Sequence, residues 1–160
     1  FKSYNLRVVR TRAFNHSVPR RPGEFVDSGF AKQIVQAELG LREPVVRHGN
    51  LSSIRDFTHV KDMAAAYWCA LDKCVPGDVY NICSEVGTSI QDVLDTLISM
   101  SKIPIRTEID ETKMRPSDVA ILVGSAEKFR QVTGWKPEFS QQQILEDTLD
   151  YWREKLSSKK

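Results

Sequence analysis

The sequence lacks most of the features that quickly assign a protein to a functional class. It has no apolar run near the roughly 20 residues that a membrane-spanning helix needs, which predicts no membrane partner. It also lacks the dinucleotide pattern GxGxxG, the P-loop pattern GxxxxGK[ST], the nucleophile elbow GxSxG and the zinc-protease pattern HExxH. The familiar catalytic motifs therefore give no starting point.

Cysteine and histidine are also scarce. The three cysteines (Cys69, Cys74 and Cys83) are odd in number and have no CxxC spacing, so we expect free thiols in a reducing, cytoplasmic compartment. The three histidines are scattered through loops and strands without metal-ligand spacing. The sequence therefore predicts no metal site.

Basic and acidic residues nearly balance but are unevenly distributed along the chain. The chain has 23 Lys and Arg against 21 Asp and Glu, a net charge of +2, which is too balanced for a dedicated nucleic-acid binder. Residues 1–21, however, contain six basic side chains and no acid. This segment predicts a local site for an anion.

The sequence begins with Phe1 and has no initiator Met. Its 160 residues, 41% of them hydrophobic, suffice for one folded domain. We nevertheless expect the chain to begin inside a longer protein.

Hydrophobic periodicity predicts short strands that alternate with helices, which favours an α/β or α+β fold. The expected strands are 6–12, 45–48, 56–60, 79–82, 103–109 and 121–123. The expected helices are 25–41, 61–74 and three that begin after Ser89, Ser125 and Ser140. The composition of residues 13–24 predicts a loop, because they include two Pro, a Gly, an Asn and a Ser. The periodicity also places Leu41, Tyr67 and Leu71 on buried helix faces.

Polar residues in the predicted loops are the best candidates for binding. A guanidinium matches phosphate oxygens with two parallel hydrogen bonds and stays charged, an Asn amide adds a neutral donor, and a carboxylate can accept from sugar hydroxyls. The candidates are Asn15, Arg20, Arg21, Arg55, Arg115 and Asp118.

Six segments, in order along the chain, carry a resemblance to a known family. They are RAFNHSVPRR (12–21), FAKQ (30–33), GNLSSIRDFTHVKD (49–62), DVYNICS (78–84), MRPSDV (114–119) and GWKP (134–137). The sequence resembles the carboxy-terminal half of extended short-chain dehydrogenase/reductases of the NAD-dependent epimerase/dehydratase family. The similarity is closest to the group of GDP-mannose 4,6-dehydratase and GDP-4-keto-6-deoxymannose reductase.

The resemblance implies roles for individual residues. Asn15 would lie against the substrate's diphosphate, Arg55 and Arg115 would clamp the diphosphate or the ribose, and Asp118 would accept from ribose hydroxyls. Lys32 would border the nucleotide, and the stretch 45–50, with Val46, would line the guanine pocket. Arg20 and Arg21 would reach the cofactor of a neighbouring subunit.

The resemblance also implies a fold and a division into lobes. The last strands and helices of a Rossmann-type sheet would be joined to a small α/β substrate-binding domain. Residues 1–14 and part of 55–84 would complete the sheet, 15–54 and 85–156 would form the substrate-binding lobe, and 157–160 would be a tail.

The family's catalytic parts would lie outside this chain. Its Tyr-x-x-x-Lys pair would fall upstream of Phe1, and Tyr4 is followed four residues later by Val8. We therefore expect no catalytic residue here, an inactive chain on its own, and NADP bound mainly by the missing amino-terminal half.

The implied function is the GDP-sugar-binding portion of a GDP-mannose 4,6-dehydratase-like enzyme of deoxysugar (GDP-rhamnose or GDP-fucose type) biosynthesis. The alternatives are the reductase of the same group and, in another class, a polyanion-binding or oligomerising module without catalysis. The expected partners are a GDP-sugar, the missing half and further copies of the protein, with no nucleic acid. A sheet edge left open by the missing half predicts dimerisation, strand exchange or poor solubility.

Overall fold

Strands and helices alternate along the chain as predicted. This computed structural model describes residues 3–17, 19–114 and 119–158. The helices are α1 (Val26–Glu38), α2 (Val60–Lys73), α3 (Ile90–Ser99), α4 (Glu127–Thr133) and α5 (Gln141–Ser157). The strands are β1 (Arg10–Ala13), β2 (Asn15–Ser17), β3 (Val45–His48), β4 (Ile54–His59), β5 (Val79–Ile82), β6 (Gly87–Ser89), β7 (Arg106–Ile109) and β8 (Ile121–Leu122).

Most of the strand pairs are parallel. β1 pairs with β5, from Arg10 opposite Val79 to Ala13 opposite Ile82, and β3 pairs with β7. β4 lies in the centre of a third group, where it pairs in parallel with β2 and β8 and antiparallel with β6. The loop predicted over 13–24 is wrong at Asn15–Ser17. These three residues form β2, which pairs with β4 despite the turn-forming residues around it.

A first hydrophobic core lies between α1, α3 and α5 and the strands β3 and β4. Its fully buried members include Ile34, Val46, Leu94, Leu145 and Leu149. Buried residues recur three or four positions apart on each of the three helices, the pattern that predicted them: Phe30 and Ile34, Leu94 and Leu97, Leu145 and Leu149. α1 and α5 are further joined by the Arg153 guanidinium, which donates to the Glu38 carboxylate at 2.8 and 3.0 Å.

A second core joins α2 and α4 to one face of the β1–β5 pair. Tyr80 and Ile82 of β5 project into it, and Phe129 of α4 packs against the rings of Tyr80 and Trp135. The predicted division into lobes stays a prediction. The packing, however, groups α4 with β5 and α2, whereas the prediction assigned it to the substrate-binding lobe.

Side-chain caps fix the starts of two of the predicted helices. The Ser89 hydroxyl accepts from the Asp92 amide, and Ser140 forms a reciprocal capping box with Gln143. The prediction is wrong for Leu41, Tyr67 and Leu71, whose side chains are exposed. α1 ends before Leu41, because Gly40 adopts a left-handed φ of 70° that turns the chain out of the helix.

Within the described residues, no helix combines the length and the apolar character needed to cross a bilayer.

Candidate functional site

A cleft of about 900 Å³ opens beside the carboxyl ends of β1 and β5. Its walls come from the end of β1, from β2 and the loop that follows it, and from the first residue of α2. The lining residues are Arg12, Ala13, Phe14, Asn15, His16, Arg20, Arg21, Pro22, Phe25, Val60, Asn81 and Leu122.

The position of the cleft follows from the topology. Parallel strands place their carboxyl ends at one edge of the sheet, where the chain leaves for its crossover connection and side chains can converge. Arg12 and Asn81 are register partners on β1 and β5 and therefore project from the same face. Asn15 follows Arg12 three residues later, at the start of β2.

The cleft is electropositive. Arg12, Arg20 and Arg21 line it, and no Asp or Glu is among the lining residues. In the described part of the chain, the guanidinium groups of Arg12 and Arg20 make no hydrogen bond or ion pair with another residue. Two guanidinium groups are thus left available to an anion.

Arg20 is also held in an unusual backbone conformation. Its φ is 82°, in the left-handed region, which costs a residue with a Cβ about 1–2 kcal/mol. Strain of this kind in a binding loop is a pointer to function, because the surrounding structure must maintain it.

The Asn15 side chain has a donor without an acceptor. Its Nδ2 atom is buried and has no hydrogen-bond partner in the described structure. An unsatisfied buried donor costs about 1–3 kcal/mol. Asn15 lines the cleft, so a rotation of its side chain that exposes Nδ2 would let a ligand oxygen satisfy this donor.

Arg21 is fixed by its neighbours. Its guanidinium lies 3.2 Å from the buried Asp27 carboxylate and 4.1 Å from the centre of the Phe25 ring. Asp27 also accepts from the Ser17 hydroxyl at the end of β2. Ser28 donates to the Arg21 carbonyl at 2.6 Å. These contacts tie the loop to β2 and to the first turn of α1.

Close backbone contact holds the same loop against α1. A Cβ at Gly29 would lie 2.6 Å from the Gly23 carbonyl oxygen, so only glycine permits this approach. The loop that carries Arg20 and Arg21 therefore sits on a rigid support.

The structure brings together three of the eight predicted site residues: Asn15, Arg20 and Arg21. Arg115 and Asp118 lie outside the described residues. The remaining three do not line the cleft: Lys32 stacks at 5.4 Å from the Trp152 ring, Val46 is fully buried in the first core, and Arg55 donates to the Ile54 carbonyl at 2.9 Å. The predicted roles of all eight residues stay predictions.

Several residues in the family-like segments hold the fold together. The buried Asp56 carboxylate of the GNLSSIRDFTHVKD segment accepts from the Ser84 amide and hydroxyl and from the Glu85 amide, at 2.7–3.0 Å. The Asp62 carboxylate accepts from the backbone amides of Glu138 and Phe139, and the Trp135 indole of the GWKP segment donates to the Asp62 carbonyl at 3.2 Å.

One Tyr-x-x-x-Lys spacing occurs within the chain, and the sequence analysis missed it. Lys155 Nζ donates to Tyr151 Oη at 2.8 Å on α5, one helical turn away. Neither residue lines the cleft. In this chain the spacing forms a contact along the surface of a helix.

Arg12, His16 and Asn81 line the cleft but are not among the residues predicted from the sequence. The signal was present, because all three stand inside the RAFNHSVPRR and DVYNICS segments. Alternation along β1 and β5 would have placed Arg12 and Asn81 on one face had the parallel pairing been known.

Within the described ranges, no group of three or more His, Cys, Asp and Glu side chains is arranged to hold a metal ion.

Comparison with known proteins gives a family match and close relatives. A family model described as GDP-mannose 4,6 dehydratase matches residues 1–148. The chain is 31% identical, over 94% of its length, to the GDP-6-deoxy-D-mannose reductase of Pseudomonas aeruginosa, of which it covers 49%. It is 29% identical, over 93% of its length, to GDP-mannose 4,6 dehydratase 2 of Arabidopsis thaliana, of which it covers 40%. The chain thus spans half or less of these relatives.

A solved structure shares the fold closely. The chain superposes on RMD from Pseudomonas aeruginosa, complexed with NADPH, with a TM-score of 0.90 and 30% identity. The match covers 96% of this chain and 51% of that one. It confirms the predicted fold class, the later part of a Rossmann-type sheet with an added α/β region.

Proposed function

The chain belongs to the GDP-mannose 4,6-dehydratase family, and from that premise we propose that it forms the GDP-sugar-binding portion of an NADP-dependent, GDP-mannose 4,6-dehydratase-like enzyme of deoxysugar biosynthesis. The observation that carries the proposal is the acid-free cleft in which three arginines and the unsatisfied amide of Asn15 converge.

The cleft has the chemistry that a sugar nucleotide requires. A diphosphate presents several anionic oxygens close together, and guanidinium groups bind such oxygens with charge-assisted hydrogen bonds. In our assignment Asn15 contacts the diphosphate, and Arg20 and Arg21 reach the cofactor of a neighbouring subunit. Arg55, Arg115 and Asp118 complete the nucleotide site, which Lys32 and Val46 border.

The cleft also contains groups suited to a nicotinamide cofactor. The guanidinium groups of Arg12 and Arg20 have no partner in the described structure and suit the phosphates of a dinucleotide. This chain does not contain the glycine-rich turn on which such phosphates bind. When bound, NADP would supply the acceptor or donor of a hydride. This chain's own residues would bind and orient the sugar nucleotide, and we propose that the chain alone is inactive.

Calorimetric titration with GDP-mannose tests the proposal. We expect Arg115→Ala to weaken binding about tenfold or more, since a charge-assisted hydrogen bond contributes about 1.5–3 kcal/mol. Asn15→Ala, which removes a neutral donor from the cleft, should weaken it by a smaller factor. Arg106→Gln, on the exposed face of β7, is the matched control and should bind like the wild type. Equal affinity of all variants, or no binding by the wild type, would contradict the proposal.

The reductase of the same group is the second candidate, because the reductase of Pseudomonas aeruginosa is among the most similar relatives. Both reactions start from a GDP-sugar and differ in redox balance. A dehydratase releases water from GDP-mannose without net use of cofactor, whereas a reductase consumes one NADPH and one proton per 4-keto sugar. The two are distinguished by adding each sugar nucleotide in turn to the complete protein with NADPH and following the absorbance of NADPH. Only the reductase should consume it.

A cytoplasmic location belongs to the same proposal. All three thiols are free, as expected for a protein of a reducing compartment.

A further inference from the structure

Arg20 is held in the cleft by its backbone. Its guanidinium lines the cleft but makes no hydrogen bond or ion pair within the described residues. Its φ of 82° lies in the left-handed region, which a residue with a Cβ adopts only where the surrounding structure maintains it. The position of this guanidinium therefore depends on contacts that its neighbours in the chain make.

Asp27, in the first turn of α1, contacts the chain on both sides of Arg20. Its carboxylate accepts from the hydroxyl of Ser17, three residues before Arg20. The same carboxylate lies 3.2 Å from the guanidinium of Arg21, the residue that follows. Asp27 is fully buried, and a buried carboxylate is stable only when it is paired. The two contacts therefore fix the positions of Ser17 and Arg21 relative to each other.

The next two residues of α1 hold the rest of the same loop. The Ser28 hydroxyl donates to the Arg21 carbonyl at 2.6 Å and accepts from the Trp152 indole at 2.9 Å, so it is fixed by both partners. The Gly23 carbonyl oxygen occupies the space that a Cβ at Gly29 would need. Three consecutive residues of α1 thus hold the loop at three points.

We propose that Asp27 is a positioning residue for phosphate binding in the cleft. It does not contact the ligand, but it sets the place of Arg20 through Ser17 and Arg21. This inference rests on the proposed function, in which the guanidinium of Arg20 suits the phosphates of a dinucleotide. The chemical group to be bound is a diphosphate, which a nicotinamide dinucleotide and a GDP-sugar both contain.

The direction of the effect separates positioning from simple electrostatics. Asp27 is negatively charged and lies beside Arg21, so removing its charge makes the cleft more positive. By Coulomb attraction alone, that change would strengthen the binding of an anion. If Asp27 positions Arg20, the same change weakens binding, because the loop is no longer held in the conformation that binds.

Calorimetric titration of this chain with inorganic pyrophosphate tests the proposal. We expect Asp27→Asn, which keeps the volume of the side chain and removes its charge, to weaken binding about fivefold or more. Glu24→Gln is the matched control. It removes the same charge from an exposed position of the neighbouring chain, and binding should stay the same or become slightly tighter.

A double substitution provides a readout that a merely structural role of Asp27 would not give. In the Arg20→Gln chain the guanidinium to be positioned is absent, so Asp27→Asn should cause no further loss of pyrophosphate affinity. A general loosening of the fold would instead weaken binding by the same factor in both backgrounds. Ser28→Ala, which removes no charge, should behave like Asp27→Asn in both, and it carries the test if Asp27→Asn does not fold.

Titrations with NADPH and with GDP-mannose distinguish the two sources of the diphosphate. A larger loss for NADPH in Asp27→Asn supports the assignment of Arg20 to the dinucleotide. A larger loss for GDP-mannose supports the positioning role but transfers Arg20 to the sugar nucleotide.

Three outcomes would overturn the proposal. They are no binding of pyrophosphate by the wild type, binding by Asp27→Asn as tight as that of the wild type or tighter, and an equal loss from Asp27→Asn with and without Arg20. The proposed function is tested separately, because GDP-mannose binding by the wild type and its weakening in Arg115→Ala do not depend on the pyrophosphate titrations.

Discussion

The thiol of Cys83 lies in the second core, 1% exposed, directly after β5. Burial, reinforced by the nearby Asp56 carboxylate, raises the pKa of Cys83 to about 12. A thiol reacts through its thiolate, so Cys83 should be inert near neutral pH. Burial likewise raises the pKa of Cys74, whereas Cys69 is partly exposed.

We therefore expect one reactive thiol in the folded protein. Titration with a disulfide reagent at pH 8 should label Cys69 and leave Cys74 and Cys83 unmodified until a denaturant is added. Cys69→Ser is the control and should abolish labelling of the folded chain. Rapid reaction of two or three thiols without denaturant would contradict this account.

Single residues also show how far the sequence could predict the site. Asn15, Arg20 and Arg21 stand close together in the chain, and one loop carries them into the cleft. Arg12 and Asn81 meet only because β1 and β5 pair in parallel, a contact between distant segments that composition does not reveal. The resemblance placed Val46 in the guanine pocket; its side chain alternates into the first core, as expected for a residue of β3, and its role stays a prediction.

At the scale of elements, the sequence predicted the bounds of a strand best where turns delimit a short apolar run on both sides. The bounds 45–48 and 79–82 are those of β3 and β5, because short apolar runs there are delimited by turns. The strand predicted at 6–12 is shorter and later, at Arg10–Ala13, since its ladder can be no longer than that of its four-residue partner β5. Tyr67 and Leu71 fit helical periodicity but face outward, because periodicity does not tell which neighbours are present.

The join between α1 and α5 depends on pH. Burial alone would raise the pKa of Glu38, but hydrogen bonds from Arg153 and from the Lys102 amide outweigh it, and the pKa is lowered. A carboxylate with a lowered pKa in the folded state stabilises the fold above its ordinary value of 4.5. That stabilisation is lost as the pH falls through the folded-state pKa.

We expect Glu38→Gln to lower the free energy of unfolding by about 2 kcal/mol at pH 7. The difference from the wild type should shrink steadily below pH 4.5, as the wild-type carboxylate becomes protonated. Urea unfolding followed by circular dichroism at a series of pH values measures it. Glu146→Gln, at an exposed position of α5, should show neither effect. A difference independent of pH would mean that packing, and not charge, joins the two helices.

At the scale of the whole molecule, the two cores are unequally enclosed. The first is surrounded by three helices, α1, α3 and α5, which pack on one another and on β3 and β4. Within the described residues, the second rests on a two-stranded sheet with an open edge and on α2, whose Tyr67, Trp68 and Leu71 side chains are exposed. Elements with fewer buried apolar contacts open at lower free energy.

Hydrogen exchange followed by mass spectrometry should reveal this inequality without any substitution. We expect the amides of β1, β5 and α2 to exchange about tenfold faster or more than those of α1, α3 and α5, which corresponds to about 1.4 kcal/mol of local stability. Uniform exchange across both cores would instead show that the described chain unfolds as a single cooperative unit. The open edge of β1 would then not lower the local stability of the second core.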